Sequence, residues 1–184
     1  MSKTQIVSGG ITDGTIATAD IADDAVTAAK AGFSSGKVGQ VIQTVKTDVF
    51  STTSSSLVDV TGLTAAITPS ATSSKVLVTL NLNIGPGDNS AVALFRGSTQ
   101  IALGDASGSK SRSFASSAYI NGTVQMPSNT TFLDSPNSSS EVTYKIQGGA
   151  VGGGTMYFGR GSTDGDNAQH ARTINVITLT EILA

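Results

Sequence analysis

The run from residue 75 to residue 84 constrains the fold most. Val76, Val78, Leu80, Leu82 and Ile84 alternate with Leu77, Thr79, Asn81 and Asn83. A period of two puts the first set on one face of a β-strand and the second on the other, whereas a helix would scatter both round its axis. Gly85-Pro86-Gly87-Asp88-Asn89 then ends the run with dense turn chemistry. Similar segments recur along the chain. Residues 38–45 and 57–63 read as strands on either side of a polar loop, 51–56. Residues 91–96 and 99–103 flank Gly97-Ser98, a dipeptide suited to a two-residue hairpin loop. Strands are also expected over 117–126, 141–147 and 155–159. The last, 173–183, carries a phase slip at Val176-Ile177 that suggests a bulge.

Composition agrees with strands. The chain has two Glu, seven Lys, 49 Ser plus Thr and 21 Gly among 184 residues, which favours pleated segments joined by turns over helices. Its 38% apolar content is enough for a core. The expectation for residues 37–184 is an all-β head of eight or nine strands, an antiparallel jelly-roll-like β-sandwich.

The first thirty residues follow another rule. Ile6, Ile11, Ile16, Ile21 and Val26 fall at a strict spacing of five, separated by small and polar residues. Five is neither the helical nor the strand period. A short repeat with one branched side chain per unit predicts an extended repetitive segment, with each unit turning one side chain inward. The stretch 22–31 keeps enough alanine for a short helix, while Asp13-Gly14 and the Thr and Asp content oppose one over the whole. Burying five Ile/Val side chains contributes about 10 kcal/mol. Ordering thirty residues of backbone costs about 30 kcal/mol. Such a segment needs company, either sister copies or a neighbouring protein. Residues 31–36, Ala-Gly-Phe-Ser-Ser-Gly, read as a flexible joint, so the chain divides into 1–36 and 37–184.

Charge narrows the function. The net charge is −2 with 13% charged residues, and the one basic cluster, Lys110 and Arg112, is too small for a nucleic-acid footprint. No stretch approaches 18 apolar residues and the start lacks an apolar signal region, so neither membrane insertion nor secretion by a signal peptide is expected. Without cysteine there is no disulfide or thiolate metal site.

No catalytic motif stands out. His170 is the lone histidine, and no Gly-x-Ser-x-Gly elbow supplies a nucleophile for it. The glycines at 148–149 and 152–154 precede no Lys-Ser/Thr pair, so they read as a loop rather than a phosphate cradle. Asp164, Asp166 and Asn167 could offer oxygens to calcium, but the loop lacks the Gly and Glu positions of an EF-hand and reads as a solvated turn. The head's nine carboxylates mostly fall in turns or at strand edges, where they cap or stay solvated, which argues against a glycan-cleaving pair. No cofactor, metal or enzymatic activity is expected. Adaptable polar contacts are expected from loops near Asp88-Asn89, 107–112, Asn137 and Asp164 to Asn167, with Tyr119 and Tyr157 as candidate sugar platforms.

Two stretches resemble a known family. Ile11-Thr-Asp-Gly-Thr-Ile16-Ala-Thr-Ala-Asp-Ile21-Ala-Asp-Asp-Ala-Val26-Thr-Ala-Ala-Lys30 resembles a repeat common near the start of phage fibres and other virion appendage proteins. Thr131-Phe-Leu-Asp-Ser-Pro136, Glu141-Val-Thr-Tyr-Lys-Ile-Gln147 and Leu179-Thr-Glu-Ile-Leu183 are similar to the C-terminal domains of marine and cyanobacterial phage tail fibres. The resemblance implies a structural protein of a tailed-bacteriophage virion, usually a homotrimer. It would be anchored to other virion proteins, of tail or capsid, by Ile6, Ile11, Ile16, Ile21 and Val26. The head would meet a host-surface glycan or protein. The short chain leaves room for a capsid decoration or capsid-fibre role, and a glycan-depolymerising spike domain is the alternative of another class.

Overall fold

A computed structural model describes Ala17, Ala19, Ile21 and Ala22, then residues 37–85, 89–117 and 124–184. The chain divides into two units, 1–35 and 36–184. In the first, Ile21 is 42% exposed. Ile6, Ile11, Ile16 and Val26, the alanine-rich stretch 23–31 and the joint 31–36 lie outside the described residues.

The second unit is built of strands, with no α-helix among the described residues. They are β1 (Val38–Lys46), β2 (Phe50–Thr52), β3 (Val58–Ile67), β4 (Lys75–Gly85), β5 (Ser90–Arg96) and β6 (Thr99–Ile101). β7 (Ala115–Ser117), β8 (Met126–Asp134), β9 (Val142–Gly149), β10 (Met156–Phe158) and β11 (Asn175–Ile182) follow. Three pairs act as single interrupted strands. β1 and β2 lie in line against β11 and β10, and β6 and β7 lie in line along β5. By strand position, sheet A therefore runs β8, β4, β11 with β10, β1 with β2, and sheet B runs β3, β9, β5, β6 with β7. All pairings are antiparallel. The chain changes sheet at every connection except the one around Gly97-Ser98, which is jelly-roll topology.

Alternation explains how the sheets pack. Val76, Val78, Leu80, Leu82 and Ile84 of β4 are buried, and with Ile177 and Leu179 of β11 they meet Val60, Leu63, Ile67, Val92, Leu94, Tyr144 and Ile146 of sheet B. Each such side chain contributes roughly 2 kcal/mol on leaving water. The expected hairpin is present, with Arg96 paired to Thr99 and Gly97 at φ 58, the first-position glycine that a type II′ turn needs.

The strand assignment differs from the sequence expectation in three places. Residues 50–52, within the expected polar connection, form β2, whose Phe50 ring meets Phe158 edge-on at 6.1 Å. The strand expected over 117–126 falls largely outside the described residues, and β8, Met126 to Asp134, is a strand not expected from the sequence. That strand hides from pattern reading because both its faces carry polar residues. Being an edge strand, it also tolerates Pro127. No bulge occurs at 176–177, where pairing is continuous with β1 and β4. Strand β11 is central, so Val176 on its outer face is covered almost as well as Ile177 on its inner face, at 9% and 0% exposure. The register shifts lie between Val38 and Val41 and between Asp59 and Thr64.

Polar clamps close one end of the sandwich. Arg96 Nη1 donates to both oxygens of buried Asp134, at 3.0 and 2.9 Å, and Tyr144 Oη donates to Asp134 at 2.6 Å. Burial, then the bond to Asp134, pushes the Tyr144 hydroxyl far above its ordinary range. Glu181, 1% exposed, accepts from the N–H and hydroxyl of Ser70, both at 2.6 Å, and from Gln40 Nε2 at 2.9 Å. Burial alone would raise its pKa, but those donors together outweigh it and hold the carboxyl at about 2.

Candidate functional site

The topology places the loops expected to make polar contacts at different ends of the sandwich. Asn89 follows the end of β4, and the stretch 159–174 joins β10 to β11, so both lie at one end of the sandwich. Asn137, with φ 51, lies between β8 and β9 at the opposite end, beyond the Asp134 clamp. Asp88 and Tyr119 lie outside the described residues.

The 159–174 loop is held by its own groups. Asp164 accepts from Arg160 at 2.9 Å and from Arg172 at 2.5 Å, which engages its carboxylate with two cations. Asn167 Oδ1 accepts from the Gln169 N–H, and Asp166 is exposed. His170 Nδ1 stands 2.9 Å from the Gly165 carbonyl oxygen. The same Nδ1 stands 3.3 Å from Asn167 Nδ2. Arg160 also lies over the Tyr157 ring, 4.3 Å from its centroid. The ring face that would serve a sugar is thus occupied by a guanidinium.

The outer faces of the two sheets offer different chemistry. On sheet A, paired residues form three rows across four strands: Val45–Val176–Asn81–Asn129, Gln43–Thr178–Thr79–Thr131 and Val41–Thr180–Leu77–Leu133. None of these twelve residues is charged. Val41, Val45 and Leu133 are 56%, 46% and 48% exposed, far above what a buried strand residue shows. The rows make an uncharged surface.

On sheet B the outer face is covered at one end by the connection between β6 and β7, residues 102–114. Ala91 and Ala93 point away from the core on β5, yet both are buried. Beside Ala91 the connection encloses one side of a cavity of about 480 Å³. Ser55 and Leu57 form the opposite wall, and Val151 from the turn after β9 forms its rim. That wall sits close because the strap 54–57 crosses Gly149. A Cβ there would stand 3.0 Å from the Ser56 carbonyl oxygen, so a larger residue would have to push the strap by a few tenths of an ångström. Ala150 N–H to Ser54 O, at 2.8 Å, and Gly152 N–H to Asn89 O, at 3.0 Å, pin the rim. Of the loops expected to make polar contacts, Asn89 thus abuts this cavity's frame and the 107–112 loop supplies part of its lining.

Lys110, Ser111, Arg112 and Ser113 face the cavity from the β6–β7 connection. Sequence reasoning dismissed Lys110 and Arg112 as too few for a charged surface. Counting charges is blind to whether two cations share one concavity. No family model and no curated protein matches the chain.

Proposed function

We propose that the chain is a structural protein of a tailed-bacteriophage virion, a fibre-like appendage whose N-terminal segment joins the particle and whose jelly-roll head contacts the host surface. The neutral outer face of sheet A carries this reading. A solvated sheet face ordinarily bears charges, and these three rows, with Lys75 only at their margin, lack them while exposing Val41, Val45 and Leu133, which suits burial against protein. The three rows span roughly 350 Å² in projection, from strand spacing and rise, about half of what one side of a standard interface buries. Second and third copies of the chain are the occupants proposed. A neutral face meets its own copy without like-charge repulsion, and the row of five branched residues in segment 1–30 requires partners on energetic grounds. Jelly rolls serve both capsid and lectin roles, which suits a head of this kind.

Particle composition tests the proposal. Mass spectrometry of purified virions should find the chain as a component, and a variant lacking residues 1–30 should fold but be absent from the particle. Normal incorporation of that variant would defeat the anchor assignment. Copy number separates the appendage from a capsid-decoration role, since decoration requires hundreds of copies in each particle.

A further inference from the structure

We infer that the cavity between the β6–β7 connection and the 54–57 strap is a binding site for a carboxylated saccharide unit, a uronate or a sugar of like chemistry. The inference takes its biological setting from the host-contact role proposed above, but its chemistry stands on the cavity alone.

The cations are the first observation. Lys46, Arg96, Lys145, Arg160 and Arg172 each bond a carboxylate. Lys110 and Arg112, the two that share the cavity, meet no carboxylate among the described residues, and none of the described lining residues is acidic. In a chain of net charge −2, a concavity with two uncompensated cations is locally opposite in sign to the whole.

Arg112 is positioned rather than loose. Its Nε donates to the Gly104 carbonyl at 2.7 Å, and its own carbonyl accepts from Gln100 Nε2 at 2.6 Å. With Nε engaged, the two terminal NH₂ groups remain, and they form the planar fork that takes a carboxylate through two parallel hydrogen bonds. Lys110 supplies a second, mobile positive charge.

The remaining lining fits a sugar ring. Ser55, Ser111 and Ser113 bring hydroxyls that make no hydrogen bond to other described residues, as suits a partner with several hydroxyls of its own. Leu57, Ala91, Leu103 and Val151 supply an apolar surface for the C–H face of a pyranose. Leu103 and Val151 are 42% and 38% exposed, so their apolar surface is open to a ligand. No aromatic residue is among the described lining, so a nucleobase would find no stacking platform. The volume lies within the range of ordinary small-ligand pockets.

The backbone adds an independent sign. Ala102, at the start of the β6–β7 connection, has φ 54, whereas the other described non-glycine residues with positive φ are asparagines. The left-handed region disfavours alanine, and such strain gathers at binding sites because the surrounding structure must hold it in place. Here it directs the chain into Leu103 and on to the cationic wall.

The test is a calorimetric titration of the full chain with digalacturonate, a neutral disaccharide and inorganic phosphate, repeated for Arg112→Gln, Arg112→Lys and the Lys110→Gln/Arg112→Gln pair. Digalacturonate should bind saturably and the neutral disaccharide at least about tenfold more weakly, since a charge-assisted bidentate contact is lost. Arg112→Gln should weaken digalacturonate about tenfold, with Arg112→Lys in between, because Lys keeps the charge and loses the fork. No saturable binding of digalacturonate would overturn the inference. So would full binding by the double variant at unchanged thermal stability, or tighter binding of phosphate than of digalacturonate. Presence of the chain in virions is read separately, so a protein absent from particles that still binds digalacturonate fails the appendage proposal and leaves this site standing.

Discussion

The two outer faces of the sandwich start from the same strand chemistry and end with opposite surfaces. Sheet A turns rows of Val, Thr, Asn, Gln and Leu outward, with no charge on twelve outward-facing positions in three rows. Sheet B turns out Asp59, Lys145 and Gln147, which bond one another at 2.7 to 2.9 Å, and lays a thirteen-residue connection, 102–114, over Ala91. Identical alternation can thus build either uncharged outward rows or a face that carries an ion pair. The difference lies in the solvent-side residues, which the core does not constrain. On the proposed reading, one face meets other copies of the chain and the other meets small polar partners.

Charging the neutral face should produce the largest effect. Val41→Glu with Leu133→Glu is expected to abolish self-association while leaving the circular dichroism spectrum intact, whereas Thr143→Glu on the outer face of sheet B should leave assembly unchanged. Sedimentation of the three proteins checks this directly.

Acid should have the next largest effect, through sheet A. The folded Glu181 carboxyl titrates near 2, below its ordinary 4.5, so its charged form favours folding. That contribution is fully present above the ordinary value and is lost as pH falls through about 2. Glu181→Gln should therefore be less stable than the parent at neutral pH. The gap between the two melting temperatures should close as pH falls from 4.5 toward 2.

Disturbing the frame of the cavity should cost less. Gly149→Ala presses a methyl group to 3.0 Å from the Ser56 carbonyl and must lift the strap. The expected loss is about 1 to 3 kcal/mol, as for other overpacked sites. The matched change on sheet A, Thr79→Ala, should leave stability within about 0.5 kcal/mol, as most surface substitutions do. Chemical denaturation of both variants checks the contrast.

Much of the head was legible in the sequence. Strand β4 could be read residue by residue because its inner face is wholly apolar and its outer face mixed. Gly97-Ser98 announced its hairpin because two-residue loops demand special dihedrals. Strand β8 was illegible for the opposite reason, with Ser128 and Thr130 facing in and Asn129 and Thr131 facing out, which leaves little contrast. The doublet at Val176-Ile177 mimicked a bulge because a central strand can be apolar on both faces. Of the candidate site, Asn89 and the 107–112 loop were picked out by polarity. The cavity itself was not, since Ser55, Arg112 and Val151 meet only through the sheet. Asn137 was picked out by the same polarity, but its place at the opposite end is set by the topology.

The central claim is that copies of this chain cover the neutral face of sheet A, and sedimentation equilibrium of the full chain measures it most directly. A trimer that persists on dilution and falls to monomers when Val41 and Leu133 become Glu is the predicted result. A parent chain that is monomeric at every concentration would contradict it.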